Sequence, residues 1–255
     1  MSDSVVDDDA LAPARPQDLQ RRWIRQDGGP WLPVTILSFD AAAFDPAAFH
    51  AARLALPASI ARSVPRRQAE FFFGRLAARI ALAAAGQPEA PVAIGAMREP
   101  VWPVAVVGSI THAHAPSGSH SLAAAVVSGR THYAGVGVDI EFVVANESAA
   151  SALQAAAVDG DELAILRQAC PDLADDLLLT LAFSAKESLY KAVFETVRDF
   201  VGFDAGRVVA LDPAGGRVTL ALARTLGSAF VRGRRCDVGF EFLEPGAVLT
   251  SFAWR

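Results

Sequence analysis

The sequence predicts an α+β fold with two similar halves, each combining a small sheet with a long helix. The chain has 255 residues, which corresponds to one large domain or two fused halves. Hydrophobic residues make up 52% and charged residues 20%, a composition that excludes a disordered chain and supports a sizeable core. Helical patterns followed by strand patterns occur in the first half and recur, in outline, in the second.

The first half opens with a predicted strand and a long helix. Residues 31–39 (WLPVTILSF) are apolar and include β-branched residues, which favour a strand. Residues 60–85 contain strong helix formers after Pro65, with apolar residues at four-residue spacing. Gly86 and Pro88 end that pattern, so we predict one long, partly basic helix.

Three further strands are predicted before the middle of the chain, over residues 101–110, 121–127 and 135–142. In the second half, helical patterns cover residues 150–181 and 184–200. Strand-like segments follow near Val218 and Val231 and from Val238 to the end. We therefore divide the chain into a flexible segment (1–30), an N-terminal lobe (31–142) and a C-terminal lobe (143–255).

Charge and hydropathy narrow the classes of partner. The formal net charge of −5 argues against a general nucleic-acid-binding protein. No stretch approaches the ~18 consecutive apolar residues of a membrane helix, and the first 30 residues lack the pattern of a secretion signal, so we expect a cytoplasmic protein with no obligatory membrane. Cys170 and Cys236 lie too far apart to suggest a metal pair or a disulfide framework.

The segment GVGVDIEF is the most informative of the chain. On a strand, Gly135, Gly137, Asp139 and Glu141 share one face, and four apolar residues share the other. Carboxylates two residues apart have Cβ atoms roughly 6.5–7 Å apart, close enough to bind one hard cation such as magnesium. An ordinary solvent-facing strand remains the alternative, although glycines on a strand suggest the close approach of a ligand.

A second polar row lies on the helix FSAKESLYKAVF. Glu187, Lys191 and Glu195 follow each other at four-residue spacing, away from an apolar row. Glu187 and Lys191 supply a third carboxylate and a cation one turn apart. A solvated ladder of ion pairs explains the same spacing.

Two further segments carry candidate ligands for phosphate. In GSITHAHAP a strand ends in polar residues and leads into a loop. His112 and His114 suggest a metal pair there, but the sequence shows no helix to frame them, and a loop that binds phosphate or adenine is favoured. On the basic helix, Arg67, Arg75 and Arg79 form either a phosphate-binding face or a solvated one.

Five segments taken together resemble the signature of the 4'-phosphopantetheinyl transferases. They are RRQAEFFFGRLAARIAL, EPVWP, VGSITHA, GVGVDIE and FSAKESLYKAVF, and the resemblance covers residues 60–203. The pairing of G-[IV]-D-x-E with a K-E-x-x-x-K segment roughly 45 residues later is specific. The chain is similar to the larger, two-lobed class typified by the surfactin-synthetase activating enzyme, and within it to the enterobactin-synthase component D branch.

The resemblance implies two lobes about a pseudo-twofold axis, with coenzyme A in the cleft between them. It implies that Asp139, Glu141 and Glu187 hold Mg²⁺ together with the coenzyme A diphosphate. Lys191 would neutralise phosphate, and Glu187 would accept the proton of the nucleophile, directly or through water.

The resemblance also implies which residues bind the nucleotide of coenzyme A. Thr111 and His112 would contact its phosphates, while Arg67 and Arg75 fall where the family places cations for the 3'-phosphate end. Arg98 is a further candidate, because residues 94–97 lack the lysine that relatives often carry there.

The implied reaction moves phosphopantetheine from coenzyme A to a serine of an acyl or peptidyl carrier protein. Carrier proteins of siderophore, polyketide, nonribosomal peptide and fatty acid synthesis all fit, and we expect docking through the arginines of residues 62–67 or 232–235. One chain supplies both halves of the cleft, so we expect a monomer. A magnesium-dependent diphosphate hydrolase and a non-catalytic coenzyme A binding module are the rival classes.

Overall fold

The computed structural model describes residues 16–26, 28–87, 90–116, 118, 120–144, 146–243 and 246–255. It mixes helices and sheets, as the sequence predicts. The first half contains β1 (Asp18–Ile24), β2 (Leu32–Phe39), α1 (Ala47–Ala51), α2 (Ala58–Ala61), α3 (Pro65–Ala84), β3 (Ala93–Ile94), β4 (Pro100–Val101), β5 (Val106–His114) and β6 (Ser121–Gly129). The second contains β7 (Gly135–Phe142), α4 (Glu147–Ala157), α5 (Gly160–Ala169), α6 (Asp175–Val197), a 3-10 turn (Phe203–Ala205), β8 (Gly206–Asp212), β9 (Arg217–Leu222), β10 (Arg235–Leu243) and β11 (Ala247–Trp254).

The strands form two main sheets. The first has the order β1-β2-β6-β5 and the second the order β7-β11-β10-β9-β8, and β3 pairs with β4 in a separate ribbon. All the pairings are antiparallel. β7 precedes the lobe boundary predicted at residue 142, yet it pairs with β11 from Gly135↔Trp254 to Phe142↔Ala247 and so belongs to the second sheet.

Each main sheet carries one of the long helices. α3 has Pro65 in its first turn, where a missing N–H costs nothing, and is followed by Gly86 at φ 67°, a left-handed position that ends the helix. The predicted helix is therefore confirmed. α6 runs unbroken from Asp175 to Val197, where the sequence analysis divided it at residues 181–184. Residues 181–184 (LAFS) contain no glycine or proline that would break a helix, and the side chains of Leu181, Ala182 and Ser184 are all buried.

The core consists of three apolar clusters. α3 packs on one face of the first sheet, and α6 with α4 and α5 packs on the second. The third cluster lies between the two sheets. Alternation along each strand explains the division, since Leu37 faces α3 while Ile36 faces the other sheet. In β7 the side chains of Val136, Val138 and Ile140 all enter the third cluster, which confirms the predicted apolar face.

Three expectations differ from the structure. Residues 18–24, within the segment predicted to be flexible, form β1 against β2; its polar sequence gives little apolar alternation because it is an edge strand. Val231 lies in a turn and is 50% exposed, so the strand predicted there is wrong. β8 was not predicted. Residues 1–15 of the predicted flexible segment lie outside the described residues.

Among the described helices, none combines the length and the hydropathy that crossing a bilayer requires.

Candidate active site

The two glycines of β7 bring α6 directly onto the strand. A Cβ on Gly135 would lie 2.1 Å from the carbonyl oxygen of Ala192, and one on Gly137 would lie 2.0 Å from that of Ser188. The sequence analysis assigned this bare face to an approaching ligand, and that interpretation is wrong because the helix backbone occupies it. The close approach instead places α6 side chains beside Asp139, the next residue on the same face.

Asp139 is the buried centre of this region, with 2% of its surface exposed. Its Oδ1 accepts a hydrogen bond from Lys191 Nζ at 2.6 Å and another from Thr111 Oγ1 at 2.8 Å. Its Oδ2 is buried and has no hydrogen-bond partner among the described residues. A buried carboxylate oxygen without a donor is costly, so this atom marks a place for a cation.

Glu141 and Glu187 add two more carboxylates to the same region. Burial, followed by repulsion from Asp139 and Glu187, raises the pKa of Glu141 to about 8 despite Lys191. Burial also raises the pKa of Glu187; Lys191 opposes that shift and Asp139 reinforces it. We call Asp139, Glu141, Glu187 and Lys191 the acid cluster.

The acid cluster has more carboxyl groups than cationic groups. Burial disfavours the charged form of Lys191, but attraction from Asp139 and Glu187 outweighs it and raises the lysine's pKa. Three carboxyl groups thus share one ammonium group. Oxygen ligands of this kind suit a hard divalent cation, which would also take up the bare Oδ2 of Asp139. The kinds of ligand present therefore fit Mg²⁺, although the carboxylate oxygens of Asp139, Glu141 and Glu187 do not all lie within 4.8 Å of one another in this structure.

A second polar cluster lies where α3 meets β5. Glu70 Oε2 accepts a hydrogen bond from Arg67 Nη1 at 2.8 Å, and Glu70 Oε1 lies 2.6 Å from His114 Nε2. The same Nη1 lies 2.8 Å from His112 Nε2. His114 Nδ1 lies 2.7 Å from Ser121 Oγ. We call Arg67, Glu70, His112 and His114 the basic cluster.

The protonation states of the basic cluster follow from its contacts. Burial would raise the pKa of Glu70, but the hydrogen bonds from His114 and Arg67 outweigh it and lower that pKa to about 2. Burial lowers the pKa of His112 to about 4; Glu70 opposes this shift and Arg67 reinforces it. At neutral pH an ionised Glu70 thus accepts from His114, and a neutral His112 accepts from Arg67.

The basic cluster corrects the sequence analysis in two ways. His112 and His114 lie on β5 and not in a loop, and α3 frames them through Glu70. Among the described residues, Glu70, His112 and His114 are the one group of three whose metal-ligating atoms lie within 4.8 Å of one another. Arg67 already places a cation against two of these three residues, so the group is satisfied without a metal.

The other predicted phosphate ligands lie around these clusters. Arg75 Nη2 donates to the carbonyl of Ala93 at 3.2 Å, while its Nε is buried without a partner among the described residues. Burial and repulsion from Arg67 lower the pKa of Arg75 to about 10. Arg79 donates instead to the carbonyl of Ala52 at 2.5 Å.

A cavity of about 470 Å³ opens beside the acid cluster. Glu187 and Lys191 line it, and so does Arg98, which is exposed in the turn between β3 and β4. Most of the lining surface is apolar, so the cavity suits a ligand that has both charged groups and a neutral arm. Its apolar lining includes Met97, Trp102, Ile110, Phe194, Phe200 and Phe203.

Thr111 joins the two clusters. β5 and β7 belong to different sheets, yet Thr111 Oγ1 donates to Asp139 and accepts from the Ile140 N–H at 3.4 Å. His112, the next residue, belongs to the basic cluster. The structure thus brings the predicted residues of β5, β7, α3 and α6 side by side.

Sequence reasoning missed three residues that hold this region together. Lys186, next to Glu187, is buried and pairs with Glu162 at 2.7 Å, which ties α6 to α5. Glu162 follows Asp159 at the spacing of a capping box, a signal that marks the start of α5 but not this contact. Glu70 stands three residues after Arg67, a spacing that places both on one helix face.

Comparison with known proteins shows similarity to one family along most of the chain. Residues 50–128 match the 4'-phosphopantetheinyl transferase N-terminal domain, and residues 135–235 match the 4'-phosphopantetheinyl transferase superfamily. The 4'-phosphopantetheinyl transferase Svp of Streptomyces mobaraensis is 35% identical over 77% of this chain and 76% of its own length.

Two other relatives match over shorter stretches. Enterobactin synthase component D of Salmonella typhi is 40% identical over 58% of this chain, and 4'-phosphopantetheinyl transferase PptT of Mycobacterium tuberculosis is 36% identical over 58%. These matches span 56% and 61% of the two relatives, a little over half of each.

Proposed function

The chain belongs to the 4'-phosphopantetheinyl transferase superfamily, as its motifs predict, and on that premise we propose that it modifies carrier proteins. The reaction transfers the 4'-phosphopantetheine group of coenzyme A to a serine hydroxyl of an acyl or peptidyl carrier protein and releases adenosine 3',5'-bisphosphate. The observation that carries this proposal is the acid cluster, whose bare Asp139 oxygen and raised glutamate pKa values suit a divalent cation beside the cavity.

Asp139, Glu141 and Glu187 would hold the Mg²⁺ ion. When bound, Mg²⁺ polarises the diphosphate and offsets charge on the leaving group. Lys191 adds a fixed positive charge next to the transferring phosphoryl group, held by its bond to Asp139.

The nucleophile comes from the carrier. Its serine oxygen forms a bond to the phosphorus that bears pantetheine, and the bond from that phosphorus to the bridging oxygen breaks. The electron pair leaves with adenosine 3',5'-bisphosphate. Glu187 accepts the serine proton, directly or through a water molecule. Its second role as a Mg²⁺ ligand lowers its basicity, so the route through water suits it better.

The adenosine end of coenzyme A would lie toward α3. Arg67, Arg75 and His112 bind its phosphates. The Nε of Arg75, which has no hydrogen-bond partner among the described residues, supports that role. Arg98 reaches the substrate from the wall of the cavity. Thr111 contributes chiefly by holding Asp139 in place, because its hydroxyl already donates a hydrogen bond to that carboxylate. The neutral pantetheine arm enters the apolar part of the cavity.

We also propose the two-lobed arrangement about a pseudo-twofold axis, with α3 on one sheet and α6 on the other. The membership of β7 in the second sheet supports a boundary near residues 130–134 in place of 142. A monomer in the cytoplasm, docking carriers through the arginines of residues 62–67 or 232–235, completes the proposal. The kinship with enterobactin synthase component D favours siderophore carriers, with polyketide and nonribosomal peptide carriers as the other substrates.

Intact-mass spectrometry of an apo carrier protein tests the reaction. With enzyme, Mg²⁺ and coenzyme A, we expect the carrier to gain about 340 Da and the gain to vanish with EDTA. Hydrolysis of coenzyme A without any gain on the carrier would indicate the hydrolase. Binding of coenzyme A without any reaction across several carriers would indicate a non-catalytic module.

A further inference from the structure

Glu70 makes more contacts than a charged residue on a helix surface normally does. It is 9% exposed, and its two carboxylate oxygens receive bonds from two different elements, Arg67 on α3 and His114 on β5. Neither Glu70 nor His114 belongs to the residues assigned above to magnesium, to phosphate or to proton transfer.

We propose that Glu70, anchored by His114, is a positioning residue that holds Arg67 and His112 as a preformed site for the 3'-phosphate monoester of coenzyme A. The proposal rests on the proposed function. Glu70 itself does not touch the phosphate in this scheme. It acts by fixing the cation that does, and so it determines how strongly the protein prefers coenzyme A over the same molecule without the 3'-phosphate.

The hydrogen bonds of Arg67 leave one edge of its guanidinium, the edge that carries Nε and Nη2, available to a ligand. Both of its bonds in the basic cluster use Nη1, one to Glu70 and one to His112. A guanidinium has five N–H donors, and within the part of the chain that the structure describes, those on Nε and Nη2 make no hydrogen bond and are available to a ligand. Two parallel donors on one edge of the group match two phosphate oxygens.

Holding Arg67 in place has a physical benefit for binding. Its side chain is 36% exposed, and an arginine fixed only on phosphate binding would lose its rotamer freedom at that step. Arg75 also lies close enough to Arg67 for their charges to repel: burial first, and this repulsion second, lower the pKa of Arg75 to about 10. The negative charge of Glu70 offsets this repulsion and keeps the cations together before phosphate arrives.

Glu70 is in turn fixed from the opposite side. His114 Nε2 donates to the ionised Glu70 at Oε1, while His114 Nδ1 is hydrogen-bonded to the hydroxyl of Ser121, a fully buried residue of β6. The ring of His114 also packs edge-on against Phe39, with ring centroids 6.2 Å apart. The carboxylate is therefore held between α3 and two strands.

Isothermal titration calorimetry with coenzyme A and with 3'-dephospho-coenzyme A tests the proposal. Glu70→Gln keeps the size of the side chain and removes its charge. We expect it to weaken coenzyme A binding about tenfold, with dephospho-coenzyme A binding unchanged. Glu241→Gln is the matched control: its partner Arg22 lies 2.9 Å away in a separate ion pair, and both affinities should stay at the wild-type value.

A double-mutant cycle separates positioning from a direct contact. In an Arg67→Gln background, Glu70→Gln should add no further loss of coenzyme A affinity, because Glu70 acts through Arg67. Equal weakening of both ligands by Glu70→Gln, no weakening of either, or an undiminished second loss in the Arg67→Gln background would overturn the proposal.

His114→Gln provides a second variant should Glu70→Gln fail to fold. It releases one of the two anchors of Glu70, so we expect a smaller loss of coenzyme A affinity, about threefold, again with dephospho-coenzyme A binding unchanged. An unchanged preference for coenzyme A would contradict the proposal. Failure of the proposed function gives a different result. In that case the wild-type protein would add no mass to any apo carrier, whether or not it binds coenzyme A. Wild-type protein that transfers phosphopantetheine but binds both ligands equally would overturn the phosphate site alone.

Discussion

The acid cluster and the basic cluster are built alike but differ in how well their polar atoms are satisfied. Each pins a long helix to the last strand of a main sheet, through Lys191 and Asp139 on β7 in one and through Glu70 and His114 on β5 in the other. Both oxygens of Glu70 accept bonds, and its pKa is lowered to about 2. One oxygen of Asp139 has no partner among the described residues.

The difference matches two opposite kinds of ligand. A cluster with excess carboxylates, raised glutamate pKa values and a bare oxygen is stabilised by a cation. A cluster that holds arginine with its own internal carboxylate has donors ready for an anion. We therefore propose neighbouring sites for metal and for phosphate, which Thr111 would connect through its bond to Asp139.

Removing the charge of Asp139 should have the largest effect. Asp139→Asn keeps a side-chain oxygen that can accept from Thr111 and Lys191, but it removes the negative charge that pairs with Lys191 and that would bind the metal. Loss of several kcal/mol of transition-state stabilisation corresponds to a fall in transfer rate of at least about 10²-fold. Rates from carrier intact mass, with circular dichroism to confirm folding, check this. Near-normal transfer at ordinary Mg²⁺ would remove Asp139 from the ligand set.

Gly137→Ala should break the geometry on which the acid cluster depends. The added Cβ would meet the Ser188 backbone at 2.0 Å, so α6 must move away from β7. We expect the free energy of unfolding to fall by about 3 kcal/mol or more and transfer to fall with it. Gly160→Ala is the control, since no atom lies within 4 Å of its added Cβ. Equal melting temperatures for the two variants would show that α6 does not depend on the bare strand.

Thr111→Val should have a moderate effect on both clusters. It removes the hydroxyl that donates to Asp139 while keeping the shape of the side chain. We expect a loss of about 1 kcal/mol in unfolding free energy and a several-fold fall in transfer, both restored by Thr111→Ser. Chemical denaturation and initial rates measure the two quantities. A serine variant as impaired as the valine variant would mean that the methyl group, and not the hydroxyl, matters.

The smallest expected effect concerns acid stability at His112. Glu70 and Arg67 on α3, His114 on β5 and Lys191 on α6 are the charged or titratable groups around it. Its pKa is lowered from an ordinary value near 6.5 to about 4, so the unfolded chain binds the proton first. Neutral His112 therefore contributes to the free energy of unfolding above pH 6.5, and this contribution is lost as the pH falls toward 4.

Substitution of this histidine should reveal that contribution. In His112→Gln, the free energy of unfolding should fall less steeply between pH 6.5 and 4 than in the wild type. The effect should be smaller than that of Thr111→Val, because 35% of the His112 side chain is exposed to screening solvent. Urea denaturation across this pH range measures it, and identical slopes would contradict the assignment.

Sequence predicted the local parts of this arrangement better than its contacts. The apolar face of β7 follows from strand alternation, and α3 follows from its spacing, Pro65 and Gly86. The prediction that a ligand lies against Gly135 and Gly137 is wrong. Glycines in a strand pattern indicate that other atoms come close to the backbone, but they do not show whether those atoms belong to a ligand or to a helix. Glu70 and His114 were missed as a pair because 44 residues separate them.

Titration of the protein with Mn²⁺, a paramagnetic substitute for Mg²⁺, compares the two clusters in one experiment. Water-proton relaxation would be followed with and without coenzyme A for the wild type, Glu141→Gln and His114→Gln. We expect Glu141→Gln to weaken Mn²⁺ binding strongly and His114→Gln to leave it unchanged. The reverse pattern, with binding lost in His114→Gln and kept in Glu141→Gln, would place the cation in the basic cluster and contradict the division of roles described here.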